Sequence, residues 1–205
     1  MKIAILGNQA RAMYNFWPAL IRHLLVAGHE VLCVVPFPMD ALDRRAVCEL
    51  EKLGALPRFY QLDRKGMNPL HDAGTFKSLL SLFKKEQPDL LFASTIKPVI
   101  WGLLAARLAH VPRRYAMITG LGFAFETETL QKKALNLAAC ALYKAALSGA
   151  HGIFFQNQDD WDIFLKSRII STNAPVSLFT QGTGVDIERF RPVPLPQGAP
   201  AFLLV

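Results

Sequence analysis

Short apolar runs of strand length alternate along this chain with segments of helical period, and that alternation limits the fold more than any other feature. The runs are Ile3–Leu6, Val31–Val35, Arg58–Leu62, Leu90–Ala93, Tyr115–Ile118, Ile153–Phe155 and Val176–Phe179. Apolar runs of this length suit strands that are buried on both faces of a sheet. The third is weaker and is expected nearer an edge. Between the first two, Phe16, Leu20 and Leu24 recur every four residues, with Trp17, Ile21 and Leu25 beside them. That spacing predicts one helix with a wide apolar face, Pro18 in its first turn and Gly28 at its end. Further helices are predicted at Asp40–Leu53, at Leu70–Glu86 with Phe76, Leu79, Leu80 and Phe83 inward, and at Ile100–Leu108. Another runs from a cap at Thr127 or Thr129 to Leu147, and a last one starts at the acidic pair Asp159-Asp160, which complements a helix dipole. Strands alternating with helices predict an α/β fold: a doubly wound, mostly parallel, Rossmann-like sheet with right-handed crossovers.

In such a sheet a ligand site forms at the carboxyl ends of the strands. Two loops there carry glycine where a strand ends: Gly7-Asn8-Gln9-Ala10 after the first run, and Thr119-Gly120-Leu121-Gly122 after the fifth. Gly7 is only the first glycine of G-x-G-x-x-G, and Pro36-Phe37-Pro38 stands where an acidic residue would take a ribose. Classical dinucleotide binding is therefore disfavoured, and no P-loop string is present. Gln181-Gly182-Thr183-Gly184-Val185-Asp186 is a further glycine-rich turn.

The chain has 205 residues, a 52% apolar share with 14 Phe, and a formal charge of +7. The core is ample, and the charge suits an anionic partner. Its basic residues are scattered pairs, without a helix-turn-helix, zinc-finger or RNP string, so nucleic acid is not expected as a partner. The three cysteines, Cys33, Cys48 and Cys140, form neither a disulfide framework nor a metal-ligand pattern. The five histidines lack a paired-carboxylate pattern, and Asp160-Trp161-Asp162 reads as cap and solvated surface before it reads as metal ligands. The apolar region Ala134–Phe155 is broken by Asn136, Lys144, Ser148 and His151, so it does not read as a membrane span. A cytoplasmic protein is expected. Its net charge and Lys132-Lys133 also suggest peripheral contact with the inner face of the cell membrane. Pro192–Pro200 has linker composition, and Ala201–Val205 opens a new apolar run. The expected organisation is a domain over 1–191, a linker over 192–200, and the first strand of a further domain over 201–205.

Four strings occur in order: Thr95-Ile96-Lys97-Pro98-Val99-Ile100-Trp101-Gly102, then Ala116 to Phe125, then Phe154-Phe155-Gln156-Asn157, then Gly182 to Pro192. Together they resemble the N-terminal half of bacterial glycosyltransferases of the GT-B fold, family 4, of the type that extends lipid-linked glycans. The resemblance covers Met1–Pro192. It implies an acceptor-binding Rossmann-like domain facing a second, donor-binding domain across a cleft. It implies retaining hexosyl transfer from a nucleotide-sugar co-substrate to a lipid-linked or saccharide acceptor, with no metal or other cofactor. Asn8, Tyr14, Lys97, Thr119 and Gly120 are the acceptor-binding residues it implies, and Gly7, Gly182, Gly184 and Asp186 face the donor diphosphate or the cleft. Phe16 and Trp17 read as core or helix packing. Thr119 stands where many relatives place a histidine, so no catalytic residue is assigned.

Because the donor glutamates of the family lie in the second domain, the 205-residue chain by itself is expected to be inactive. A different class of reading is a non-catalytic module or split-enzyme subunit that binds a glycan acceptor or a partner chain. A nucleotide-sugar epimerase or reductase would need the complete glycine fingerprint and a Tyr-x-x-x-Lys pair, and Tyr143-Lys144 has the wrong spacing.

Overall fold

In the computed structural model the chain forms a seven-stranded sheet in the order β3-β2-β1-β4-β5-β6-β7. The structure describes residues 1–64, 69–120, 130–171, 177–180, 182–188, 190–194, 198 and 202. The strands are β1 (Lys2–Leu6), β2 (Glu30–Pro36), β3 (Leu56–Tyr60), β4 (Leu90–Ser94), β5 (Arg113–Ile118), β6 (Gly152–Phe155) and β7 (Ser177–Phe179). Every pairing among them is parallel, with Ile5 beside Cys33 on one side of β1 and beside Phe92 on the other. The weak third strand is indeed at the edge, and that is where Pro57 is tolerated, since an edge strand can spare one N–H.

The helices are α1 (Ala10–Phe16), α2 (Pro18–Val26), α3 (Ala41–Lys52), α4 (Pro69–Glu86), α5 (Ile96–Leu108), α6 (Leu130–Leu147) and α7 (Gln158–Lys166). Helices α1–α3 cover one face, over Ile3, Ile5, Val31, Cys33 and Val35. On the other face α4–α7 cover Ala4, Leu6, Leu32, Val34, Leu91 and Ala93. Burial among apolar neighbours pushes the Cys33 thiol up to about 12, so it serves as a small apolar core residue.

Two helix boundaries differ from those expected. The single helix predicted after β1 is two, broken at Trp17 (φ −113°, ψ 4°), which ends α1 and caps α2. Proline pushes the residue before it out of helical geometry, and Pro18 takes the first position of α2. Trp17 is thereby turned into the core, against Phe92, while Phe16 is left 55% exposed. Helix α5 begins at Ile96, four residues earlier than predicted, because Pro98 still lies in the first turn, where a missing N–H costs nothing. At α7 the acidic pair lies in the first turn as expected, but Asn157 is the cap: its Oδ1 accepts from Asp160 N at 2.7 Å and its Nδ2 donates to Asp160 Oδ2 at 3.0 Å. The expected caps Thr127 and Thr129, the Leu121–Gly122 part of the glycine loop after the fifth strand, and most of 201–205 lie outside the described residues.

Helix α5 lies close to the sheet at Gly102, where a Cβ would run into Leu6 Cδ2 and approach Ala93 Cβ at 3.8 Å. Leu6 is fully buried and has no room to withdraw. Gly102→Val should therefore lose about 2–3 kcal/mol in urea titrations through overpacking; an unchanged midpoint would show that α5 can lift off the sheet at no cost.

At the amino end of the sheet, Glu86 accepts from Arg58 Nε at 2.6 Å and lies 3.7 Å from Lys2 Nζ, joining the edge strand, α4 and β1. The bond from Arg58, more than the nearby charges, holds the Glu86 carboxyl below its ordinary value of 4.5. A lowered carboxyl pKa adds stability above the unfolded value and loses it as pH falls through the folded one. Glu86→Gln should thus lower the melting temperature at pH 7, with the difference from wild type shrinking as pH drops below about 4. A difference that stays constant across that range would rule out the ionised pair as its source.

Candidate functional site

The order β3-β2-β1-β4-β5 reverses direction at β1, because the chain moves outward through β2 and β3 and then returns to β4. The loops leaving β1 and β4 therefore part in opposite directions, and a crevice opens between their carboxyl ends. Three cavities meet there. One, of about 280 Å³, is lined by Gly7, Asn8, Met13, Phe16, Ser94, Thr95, Thr119, Gln156 and Thr183, among others. A second, of about 310 Å³, is lined by Asn8, Leu62, Arg64, Thr95, Ile96, Lys97, Pro98, Thr119 and Gly120. The third, of about 770 Å³, extends from Asn8 over the ends of β2 and β3 to Arg64 and His71. Asn8 lines all three.

The end of β1 is held by its neighbours. Gly7 N donates to Val34 O at 3.0 Å, Gly7 O accepts from the Tyr60 hydroxyl at 2.9 Å, and Ser94 Oγ donates to Leu6 O at 3.5 Å. Tyr60 is fully buried, and that burial raises its phenol far above the ordinary tyrosine range, so it remains a neutral donor. These bonds fix the point where Asn8 leaves the sheet.

Of the acceptor-binding residues expected from the sequence, Asn8, Lys97, Thr119 and Gly120 come together around the second cavity. Gly120 has φ +138°, with open space where a side chain would stand, so its backbone is free to meet a ligand. Lys97 is tied down: its ammonium donates to Asp72 Oδ1 at 2.7 Å and to Asp63 O at 2.8 Å, linking α5 to α4 and to the segment after β3. Tyr14 is half-buried against the core on the α1–α3 face and lines none of the three cavities. Gly7 lines the first cavity. Gly182 (φ +85°) and Gly184 (φ +77°) take left-handed backbone that glycine suits, and Asp186 Oδ2 accepts from Arg22 Nη1 at 3.4 Å. Through these contacts the turn is drawn toward α2, and its member facing the first cavity is Thr183.

Sequence reasoning passed over Ser94, Thr95, Gln156 and Thr183, although the first three stand at the carboxyl ends of β4 and β6. Thr95 is the most unusual of them. Its backbone sits at φ 72°, ψ 160°, a region almost reserved for glycine, and it caps α5 without a side-chain bond. Its Oγ1 is buried and has no hydrogen-bond partner among the described residues. Such strain costs about 1–3 kcal/mol, and an unsatisfied buried hydroxyl costs a comparable amount. Thr95→Gly should remove both and raise stability by about 1–2 kcal/mol in urea unfolding, after glycine's own entropic cost. A loss of stability would show that the Thr95 side chain is satisfied or well packed.

Among the described residues no group of three His, Cys, Asp or Glu side chains is placed to hold a metal ion, and no helix is long and apolar enough to cross a membrane.

Residues 2–157 match the family profile described as glycosyl transferase 4-like. The chain is 24% identical over 193 residues to the N,N'-diacetylbacillosaminyl-diphospho-undecaprenol alpha-1,3-N-acetylgalactosaminyltransferase of Campylobacter jejuni, covering 94% of this chain and 49% of that protein. It is 30% identical over 128 residues to the UDP-Gal:alpha-D-GlcNAc-diphosphoundecaprenol alpha-1,3-galactosyltransferase of Escherichia coli, covering 62% of this chain and 31% of that protein. The chain thus spans about half the length, or less, of the curated relatives it matches. Among solved structures, a glycosyltransferase from Rickettsia africae superposes with a TM-score of 0.61 at 16% identity, covering 96% of this chain and 46% of that one. A UDP-GlcNAc 2-epimerase from Neisseria meningitidis superposes with a TM-score of 0.60 at 12% identity, covering 89% of this chain and 47% of that one. These likenesses show a shared α/β fold, which transferases and epimerases both use.

Proposed function

The chain belongs to the glycosyl transferase 4-like family, and we propose that it is the acceptor-binding part of an enzyme that extends a lipid-linked glycan. The observation that carries the reading is the crevice at the β1–β4 reversal, where polar side chains from three strand ends converge on Asn8. The relatives' names supply the chemical class: a nucleotide sugar as donor and a sugar diphosphate lipid as acceptor. Asn8, Thr119 and the Gly120 backbone are the acceptor-binding groups. The exposed Phe16, beside the first cavity, offers an apolar surface for a sugar ring.

No carboxylate lines the first or second cavity among the described residues. In this reading the chain supplies binding and orientation of the acceptor, and a second domain across the crevice holds the nucleotide sugar. In the proposed reaction the bond between the donor's anomeric carbon and the diphosphate oxygen breaks, the acceptor hydroxyl oxygen bonds that carbon with retention, and the nucleoside diphosphate leaves, taking up the hydroxyl proton. The nucleotide sugar is a co-substrate, and no cofactor is invoked. Such a protein works in the cytoplasm, against the inner leaflet that carries its acceptor.

Transfer should be assayed from UDP-galactose and UDP-N-acetylgalactosamine to a short-chain diphospho-linked N-acetylglucosamine. The 205-residue chain alone should give no product, and the same chain joined to a donor-binding domain should give product. In the joined protein Asn8→Ala should lower kcat/KM by about 10–100-fold, the scale of losing one or two substrate hydrogen bonds. Product from the chain alone would contradict the need for a second domain. A joined protein that neither binds nor glycosylates the acceptor would contradict the function.

A further inference from the structure

We propose that the second cavity is a diphosphate-binding subsite and that Arg64 is the group that recognises the anion. The proposal rests on the reading of this chain as the acceptor part of a transferase and identifies which part of the acceptor that cavity holds.

The cavity's lining combines two cations with no carboxylate: Asn8, Leu62, Arg64, Thr95, Ile96, Lys97, Pro98, Thr119 and Gly120. The two cations are not equivalent. Lys97 spends its charge on Asp72 at 2.7 Å, at the cavity wall, and acts as a brace. The same holds for the other cations around the crevice among the described residues. Arg11 pairs with Asp40 and Asp43, Arg22 with Asp186, and His71 with Asp63. Arg64 is exposed and pairs with no carboxylate among the described residues, although it lines both the second and the third cavity. Its guanidinium is near enough to act electrostatically on Tyr60, whose hydroxyl holds Gly7 O. It shares the lining of both cavities with Asn8, the residue that follows the end of β1.

The first turn of α5, a helix of 13 residues, lines the same cavity. An uncapped helix start presents free N–H donors and a partial positive charge. Thr95 does not cap it with its side chain, and its Oγ1 has no partner among the described residues, while the residue lines the cavity. Asn8 and Thr119 add side-chain donors, and Gly120 leaves its backbone open. A guanidinium, a helix start and neutral donors lining one cavity, with no carboxylate in that lining, are complementary to a phosphate or diphosphate dianion. A neutral sugar would make no use of the net charge.

Diphosphate occurs in both the lipid-linked acceptor and the nucleotide donor, so the probes must separate them. Binding to the full chain is measured by titration calorimetry with inorganic pyrophosphate, UDP, a short-chain diphospho-linked N-acetylglucosamine, and free N-acetylglucosamine. Wild type, Arg64→Ala, Arg64→Lys and Lys166→Ala are compared, the last being an exposed control in the final turn of α7. The expected result is that the diphospho-linked sugar binds best, that Arg64→Ala weakens it and pyrophosphate at least tenfold, that Arg64→Lys recovers part of the loss, and that Lys166→Ala has no effect. Wild-type affinity should also fall more steeply with salt than that of Arg64→Ala. Equal binding of the diphospho-linked sugar by wild type and Arg64→Ala would overturn the proposal and leave the acceptor function standing. Preferential binding of UDP that depends on Arg64 would overturn the assignment to the acceptor. Binding of none of the four by wild type would overturn both the subsite and the acceptor reading.

Discussion

The backbone of β1 pairs with β2 on one side and with β4 on the other, and this placement of the first strand at the point of reversal determines the rest of the site. Right-handed crossovers send the chain outward through β2 and β3 on one face, then back through α4 to β4 on the other. The two sets of loops separate above β1, so a crevice forms without any side chain being removed to make it. What the side chains contribute is precision. Tyr60 reaches from the edge strand to Gly7 O, Ser94 reaches from β4 to Leu6 O, and Gly102 lets α5 settle onto Leu6 and Ala93.

Stability and function pull apart at Thr95. The neighbouring elements are well satisfied: β1 is fully buried from Ala4 to Leu6, and Asn157 and Asp160 cap α7 reciprocally. Against that background a β-branched residue in glycine-like backbone, with an orphaned hydroxyl, is a local expense at the mouth of the cavity. Strain of this kind is retained where surrounding structure over-determines it, and such places cluster at ligand sites. Lys97 shows the opposite arrangement. Its charge is consumed by Asp72, which gives the cavity a firm wall and leaves Arg64 as the cation in its lining without a carboxylate partner among the described residues.

Much of the fold was legible because the strands are buried on both faces and so appear as unbroken apolar runs, as at Val31–Val35 and Ile153–Phe155. The edge position of β3 was legible in the mixed run Arg58–Leu62, which overlaps the strand Leu56–Tyr60 but ends two residues beyond it. Helix starts were less so, because proline carries two meanings: Pro18 ends one helix and opens the next, while Pro98 sits inside a first turn. Of the residues expected at the site, Asn8, Lys97, Thr119 and Gly120 share a cavity. Tyr14 lies outside it, packed against the core on the α1–α3 face. The roles of Thr95 and Arg64 were invisible, because dihedral strain and the absence of a counter-charge are properties of three-dimensional neighbours.

The central claim is that the carboxyl ends of β1, β4 and β5 form one binding surface for a sugar diphosphate. It is tested most directly by hydrogen exchange of the full chain with and without a short-chain diphospho-linked N-acetylglucosamine. Protection confined to Gly7–Gln9, Thr95–Lys97 and Thr119–Gly120 is the predicted result, with the apolar groove between α4 and α5 at Trp101 and Leu104 unchanged. Protection at Trp101 and Leu104 with none at the strand ends would contradict it.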